Sequence, residues 1–149
     1  MARRIEVRRR ALLAGAAVFV LPAARAAEPE LAEAIRAWAG GATPREGRVT
    51  FDIAPLVDNG NAVPITVRVQ SPMSAADHVT EIVVFNERNP QRDVLRVQLG
   101  PWNGRAELAT RIRLSTSQQL VALARLSDGS VWQQRVEVLV TLAACIEGA

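Results

Sequence analysis

The spacing of hydrophobic residues along this chain changes near Arg48. Before that point, Leu31, Ile35 and Trp38 are separated by four and three residues, which places them on one face of a helix. After it, apolar and polar residues alternate, most clearly over residues 63–69, and this alternation is typical of strands with one buried face. The pattern predicts a short N-terminal helix followed by β-structure.

Turn-forming pairs divide the alternating region into short segments. Asn59-Gly60, Asn89-Pro90, Asn103-Gly104 and Asp128-Gly129 each separate two apolar runs, and Asp128-Gly129 is a strong signal for a two-residue hairpin turn. The spacing of these turns predicts about seven strands. Because so many half-buried strands need a second sheet to cover them, we expect an all-β fold, an immunoglobulin-like β-sandwich with a short N-terminal helix.

Residues 1–26 are predicted to be a cleavable signal peptide. Basic residues, among them the pair Arg9-Arg10, precede an apolar run from Ala11 to Leu21, and Ala24-Arg25-Ala26 has the small residues of a cleavage site. The run is shorter than the roughly 20 residues that span a bilayer. The arginine pair favours the twin-arginine export route over an ordinary secretory signal. We therefore expect a periplasmic protein without a membrane anchor.

Removal of this signal changes the charge of the protein. The full chain has a net charge of +3, but residues 27–149 carry 12 basic and 14 acidic side chains. A slightly acidic domain lacks the basic surface that nucleic-acid binding requires. The length suits one domain, and we divide it into a helix with its sandwich, residues 27–142, and a C-terminal arm, residues 143–149.

Motifs for catalysis, metal binding or nucleotide binding are absent from the sequence. His78 is the only histidine, and the only cysteine is far from it, so a zinc site lacks ligands. The chain contains no G-x-S-x-G nucleophile turn, no G-x-G-x-x-G loop and no P-loop. We therefore expect neither a cofactor nor a metal, and a protein that is not an enzyme in its own right.

The one cysteine, Cys145, lies close to the C-terminus. A disulfide within the chain is impossible, whereas a thiol at a chain end can hold a sulfur compound reversibly through an S–S bond. Two alternatives stay open: an interaction module whose cysteine is dispensable, and a homodimer linked through Cys145. Small residues before the cysteine predict a narrow arm, and the acidic residue after it favours the thiol over the thiolate. The residues flanking Cys145 in the arm are Ala143, Ala144, Ile146, Glu147 and Gly148.

Several stretches, together with the solitary terminal cysteine, resemble the SoxY family, the sulfur carriers of the periplasmic thiosulfate-oxidising system. The stretches are NGNAVPITV, SPM, ATRIRL and LSDGS. The resemblance implies an immunoglobulin-like sandwich that pairs tightly with a SoxZ-like subunit. It also implies that Cys145 holds the sulfur intermediate as an S–S adduct while other proteins act on it.

The resemblance further implies the partners of that chemistry: a c-type cytochrome, a hydrolase that releases sulfate and a sulfur dehydrogenase. In one respect the sequence departs from the family. The usual arm is Gly-Gly-Cys-Gly-Gly, whereas here Ala143-Ala144 precedes the cysteine and Ile146-Glu147 follows it. Since alanine restricts the backbone more than glycine does, we expect a stiffer arm. Ile146 should also make the arm wider, and Glu147 should make it more acidic.

Overall fold

The computed structural model describes residues 24–144, so most of the predicted signal peptide and the segment 145–149 lie outside the described residues. The all-β immunoglobulin-like sandwich and its N-terminal helix are confirmed, with one strand of only two residues. The elements are α1 (Ala24–Ala39), β1 (Val49–Asp52), β2 (Leu56–Val57), β3 (Val63–Val69), β4 (Val79–Asn86), β5 (Asp93–Gln98), a 3-10 turn (Pro101–Asn103), β6 (Ala106–Ile112), β7 (Gln118–Leu126) and β8 (Val131–Val140).

The helix α1 begins at Ala24, two residues before the end of the predicted signal peptide. Cleavage after Ala26 stays a prediction. Within residues 24–144, no helix has the length and apolar character that crossing a membrane requires.

Two sheets form the sandwich. The smaller has the strand order β1-β3-β6 and the larger the order β2-β8-β7-β4-β5, and all pairs are antiparallel except β2 with β8. Strand β3 shows why the pattern is readable: Val63, Ile65, Val67 and Val69 are buried, while the residues between them are wholly or partly exposed. Successive side chains of a strand point to opposite faces, so this alternation fixes which face of β3 meets the core.

Strands β4 and β7 are apolar on both faces because both faces are covered. Their inner faces, which include Val84 and Leu120, pack against the small sheet in the main core. On the outer face, Leu31 and Ile35 of α1 pack against a second cluster of buried side chains. This cluster consists of Val83, Phe85, Val121, Leu123 and Val131.

Asp128-Gly129 lies in the hairpin that joins the antiparallel strands β7 and β8, as predicted. The loop has three residues, 127–129, and not the two predicted, because the amide of Leu126 donates to the carbonyl of Ser130 at 2.9 Å. The Gly129 amide donates to the carbonyl of Leu126 at 2.9 Å, and Gly129 has a φ of 81°, which glycine adopts without strain. The Ser130 amide donates to Oδ1 of Asp128 at 2.8 Å. Hydrogen bonds from Ser130, and to a smaller extent the charges of Arg45 and Arg48, lower the pKa of the Asp128 carboxyl.

Truncation of a core side chain tests this architecture. Leu120 is fully buried between the sheets, so Leu120→Ala should lower the free energy of unfolding by about 2–5 kcal/mol through lost burial and a residual cavity. Leu139→Ala is the matched control, since Leu139 is 62% exposed, and it should change the free energy by about 0.5 kcal/mol or less. Urea denaturation measures both, and equal effects would contradict the assigned core.

Candidate functional site

The chain beyond β8 remains attached to the sandwich up to the last described residue. The amide of Gly60 donates to the carbonyl of Leu142 at 2.8 Å, and the amide of Ala144 donates to the carbonyl of Leu114 at 3.0 Å. The amide of Leu114 donates in turn to the carbonyl of Gly60 at 2.9 Å. These four residues, which we call the C-terminal anchor, tie the end of the chain to two loops.

The residues just before the anchor are held as firmly. The amide of Thr141 donates to the carbonyl of Val57 at 3.0 Å, and its hydroxyl donates to the carbonyl of Asp58 at 3.0 Å. The amide of Val140 donates to Oγ of Ser117 at 2.8 Å. The path of the chain is therefore fixed from the end of β8 to Ala144.

Gly60 is the residue that allows the anchor to close. A Cβ atom on this residue would lie 2.4 Å from the carbonyl oxygen of Leu114 and 2.9 Å from the amide nitrogen of Ala144. Both atoms belong to the backbone and have little room to retreat. Sequence reasoning identified Gly60 only as a turn residue, and its burial against two distant segments carries no signal in the local pattern.

A buried network of amide side chains holds the loop that carries Leu114. Oδ1 of Asn89 accepts hydrogen bonds from the amide of Ser115 at 3.0 Å and from Nε2 of Gln118 at 2.9 Å. Nδ2 of Asn89 donates to the carbonyl of Arg113 at 2.8 Å. The amide of Asn89 itself donates to Oδ1 of Asn86 at 2.7 Å. Because polar groups buried without partners are costly, this network fixes the loop in one conformation.

The predicted attachment residue, Cys145, lies outside the described residues, as do Ile146, Glu147 and Gly148. Of the predicted arm, the structure describes Ala143 and Ala144. Ala143 is exposed, whereas Ala144 is buried, with 8% of its surface accessible. The start of the arm at residue 143 and the role of Cys145 stay predictions. Since Cys145 follows Ala144 directly, its backbone nitrogen is bonded to a residue that the sandwich holds in place.

Exposed leucines lie on the two strands that lead to the anchor. Leu56 and Leu139 are direct partners in the register of β2 and β8, with 57% and 62% of their surfaces exposed. Leu142, whose carbonyl belongs to the anchor, is 60% exposed. These three exposed leucines make part of the surface beside the anchor apolar.

The other side chains that could act as catalytic groups or metal ligands, those of His78 and Asp77, make local contacts beside β4. Nδ1 of His78 lies 3.0 Å from the carbonyl oxygen of Ser74, within the loop that joins β3 to β4. Asp77 lies 3.8 Å from the guanidinium of Arg48 in a partly exposed ion pair. Among residues 24–144, no three acidic, histidine or cysteine residues are grouped closely enough to hold a metal ion.

A family model described as sulfur oxidation protein SoxY matches residues 35–145, which is most of the chain. This chain belongs to the SoxY family. The match begins within α1 and ends on Cys145, so it includes the whole sandwich and the C-terminal anchor.

Solved structures agree with this membership. The sulfur carrier protein SoxY from Chlorobium limicola f thiosulfatophilum is 25% identical, with a TM-score of 0.64, and the alignment covers 77% of this chain and 99% of that one. Superoxide reductases from Ignicoccus hospitalis and Nanoarchaeum equitans share the fold alone. Their identities are 20% and 14%, their TM-scores 0.56 and 0.53, and the alignments cover 63% and 64% of this chain and 80% and 100% of those. No curated protein sequence matches the chain.

Substitution of Gly60 tests the anchor. Gly60→Ala should force the loop around Leu114 and the end of the chain apart, and we expect it to cost about 1–3 kcal/mol, as overpacking does. Hydrogen exchange at the amide of Ala144 should become faster than in the unmodified chain. Ala62→Ser, at an exposed position of the same loop, is the control. Unchanged exchange at Ala144 in Gly60→Ala would contradict the anchor.

Proposed function

We propose that this SoxY-family protein is a covalent sulfur carrier, with Cys145 as the attachment site. One observation carries the proposal: the family match runs through the sandwich and ends on the only cysteine of the chain. A solved SoxY, of which 99% aligns with this chain, is named a sulfur carrier protein. The protein is therefore a co-substrate of other enzymes and not a catalyst.

The geometry around the anchor supports this role. A carrier must offer its sulfur at a constant position, so that several enzymes can reach the same atom. The hydrogen bond from the Ala144 amide to Leu114 fixes the residue before Cys145 at one end of the sandwich. Ordering of a chain segment is a major cost of association, and the segment up to Ala144 is already held by the sandwich.

The chemistry of loading is an oxidation. The sulfur of Cys145 joins the terminal sulfur of thiosulfate to form an S–S bond, which leaves the sulfonate group at the outer end. Two electrons pass to a c-type cytochrome, and the proton of the thiol passes to water. A hydrolase then adds water to the sulfonate sulfur, which releases sulfate and leaves a persulfide on Cys145 for a sulfur dehydrogenase to oxidise.

The family resemblance implies a SoxZ-like partner, and the signal sequence predicted in residues 1–26 favours export to the periplasm. The protein is exported to the periplasm, by the twin-arginine route, as a heterodimer with a SoxZ-like subunit. In the arm, Ala143-Ala144 and Ile146-Glu147 stand where the family has glycines. This difference should narrow the set of enzymes that accept the loaded chain.

Loading tests the function directly. When the chain is incubated with thiosulfate and the thiosulfate-oxidising cytochrome of a Sox system, the C-terminal peptide should gain the mass of a sulfur-sulfonate group on Cys145. Mass spectrometry of the digested protein measures this, and treatment with a reducing thiol should reverse it. Cys145→Ser should stay unmodified. A peptide that remains unmodified under conditions that load a glycine-armed SoxY would count against the proposal.

A second readout separates this function from that of an interaction module. In cells that depend on this protein for thiosulfate oxidation, Cys145→Ser should abolish the oxidation while leaving the amount of folded protein unchanged. Wild-type oxidation by Cys145→Ser would instead mean that the sandwich matters and the cysteine does not.

A further inference from the structure

Two arginines on the exposed face of the small sheet have no acidic partner in the described part of the chain. Arg111 and Arg113 are both exposed, and their guanidinium groups form neither an ion pair nor a hydrogen bond with any described residue. Their neighbours on the same face differ, since Arg68 lies 3.5 Å and Arg105 3.7 Å from the carboxylate of Glu107. Arg111 and Arg113, which we call the cationic patch, therefore carry two charges that no described acid offsets.

The cationic patch lies beside the last described residues. Arg113 immediately precedes Leu114, whose carbonyl accepts the hydrogen bond from the Ala144 amide at 3.0 Å. The carbonyl of Arg113 is itself held by Nδ2 of Asn89 at 2.8 Å. Arg111 lies two residues earlier on the same face, about 7 Å away along the strand. The backbone of the patch and that of Ala144 are therefore fixed relative to each other.

The segment that follows Ala144 contains one charged side chain, that of Glu147. Glu147 is three residues beyond Ala144, and three residues span at most about 11 Å. Its carboxylate is thus tethered within reach of the cationic patch, and a short tether gives a high effective concentration of one group at the other. The charges are opposite, so the patch and the segment are complementary.

We propose that the cationic patch is the docking site of the chain's own C-terminal segment, with the carboxylate of Glu147 bound by the guanidinium groups of Arg111 and Arg113. An exposed ion pair is weak by itself, and here the tether and the second arginine add to it. Docking places Cys145 between two attachment points, the anchor and the patch.

This docking requires no sulfur chemistry. Its consequence for a carrier rests on the proposed function: an enzyme must release Glu147 from the patch before it can draw Cys145 into an active site. Because the contact is ionic and exposed, salt or an acidic surface on the enzyme would release it.

A spin label near Glu147 tests the docking. In a chain with Cys145→Ser, Ala149→Cys provides a single site for a nitroxide label, two residues beyond Glu147. When Glu147 is docked, the label lies near the patch. It should therefore broaden the NMR signals of the backbone amides of Arg111 and Arg113.

Substitutions of Glu147 separate docking from mere proximity to the anchor. Glu147→Gln has almost the same size without the charge, and it should reduce the broadening about twofold or more. Glu147→Asp keeps the charge and should retain most of it. In 1 M salt, where the Debye length is about 3 Å, the parent chain should fall to the level of Glu147→Gln, which should itself change little. The amide of Arg105, about 20 Å from Arg111 along the strand, is the reference signal.

Exchange of the charges identifies the partners. Glu147→Arg alone should broaden the patch signals less than Glu147→Gln does, because like charges repel. Addition of Arg111→Glu and Arg113→Glu should restore the broadening, which a local disturbance of the strand would not do. Equal broadening in the parent chain and in Glu147→Gln overturns the docking, and so does a charge exchange without recovery. No thiosulfate is present, so a failure here is distinct from a failure of Cys145 to gain the mass of its adduct.

Discussion

Three backbone hydrogen bonds among Gly60, Leu114, Leu142 and Ala144 hold the last described residues of this chain against its sandwich. Each bond joins segments that are far apart in sequence, and together they link a loop of the small sheet, the loop after β6 and the end of the chain. Backbone atoms approach so closely here that only glycine fits at position 60. A terminus would ordinarily fray, but this one takes its position from the sandwich as far as Ala144.

The sandwich can hold the anchor because its loops at this end are themselves ordered by buried polar groups. Asn86, Asn89 and Gln118 are buried, and each has hydrogen-bond partners within the described chain. Such groups add little net stability, since folding exchanges bonds to water for bonds within the protein. Their effect is on specificity: any other loop conformation would leave them buried and unpaired. The position of Leu114, and through it that of Ala144, follows from this constraint.

Local patterns predicted what depends on local chemistry. The alternation in β3 identified its buried face because side chains alternate along any strand, and Asp128-Gly129 identified its hairpin because few residues suit that turn. The anchor could not be predicted, because Gly60 and Asn89 each follow an ordinary turn pattern, and their contacts with Leu114 and Ser115 arise only when distant loops meet. That β5 and β6 end their sheets depends on strand order, which periodicity does not reveal.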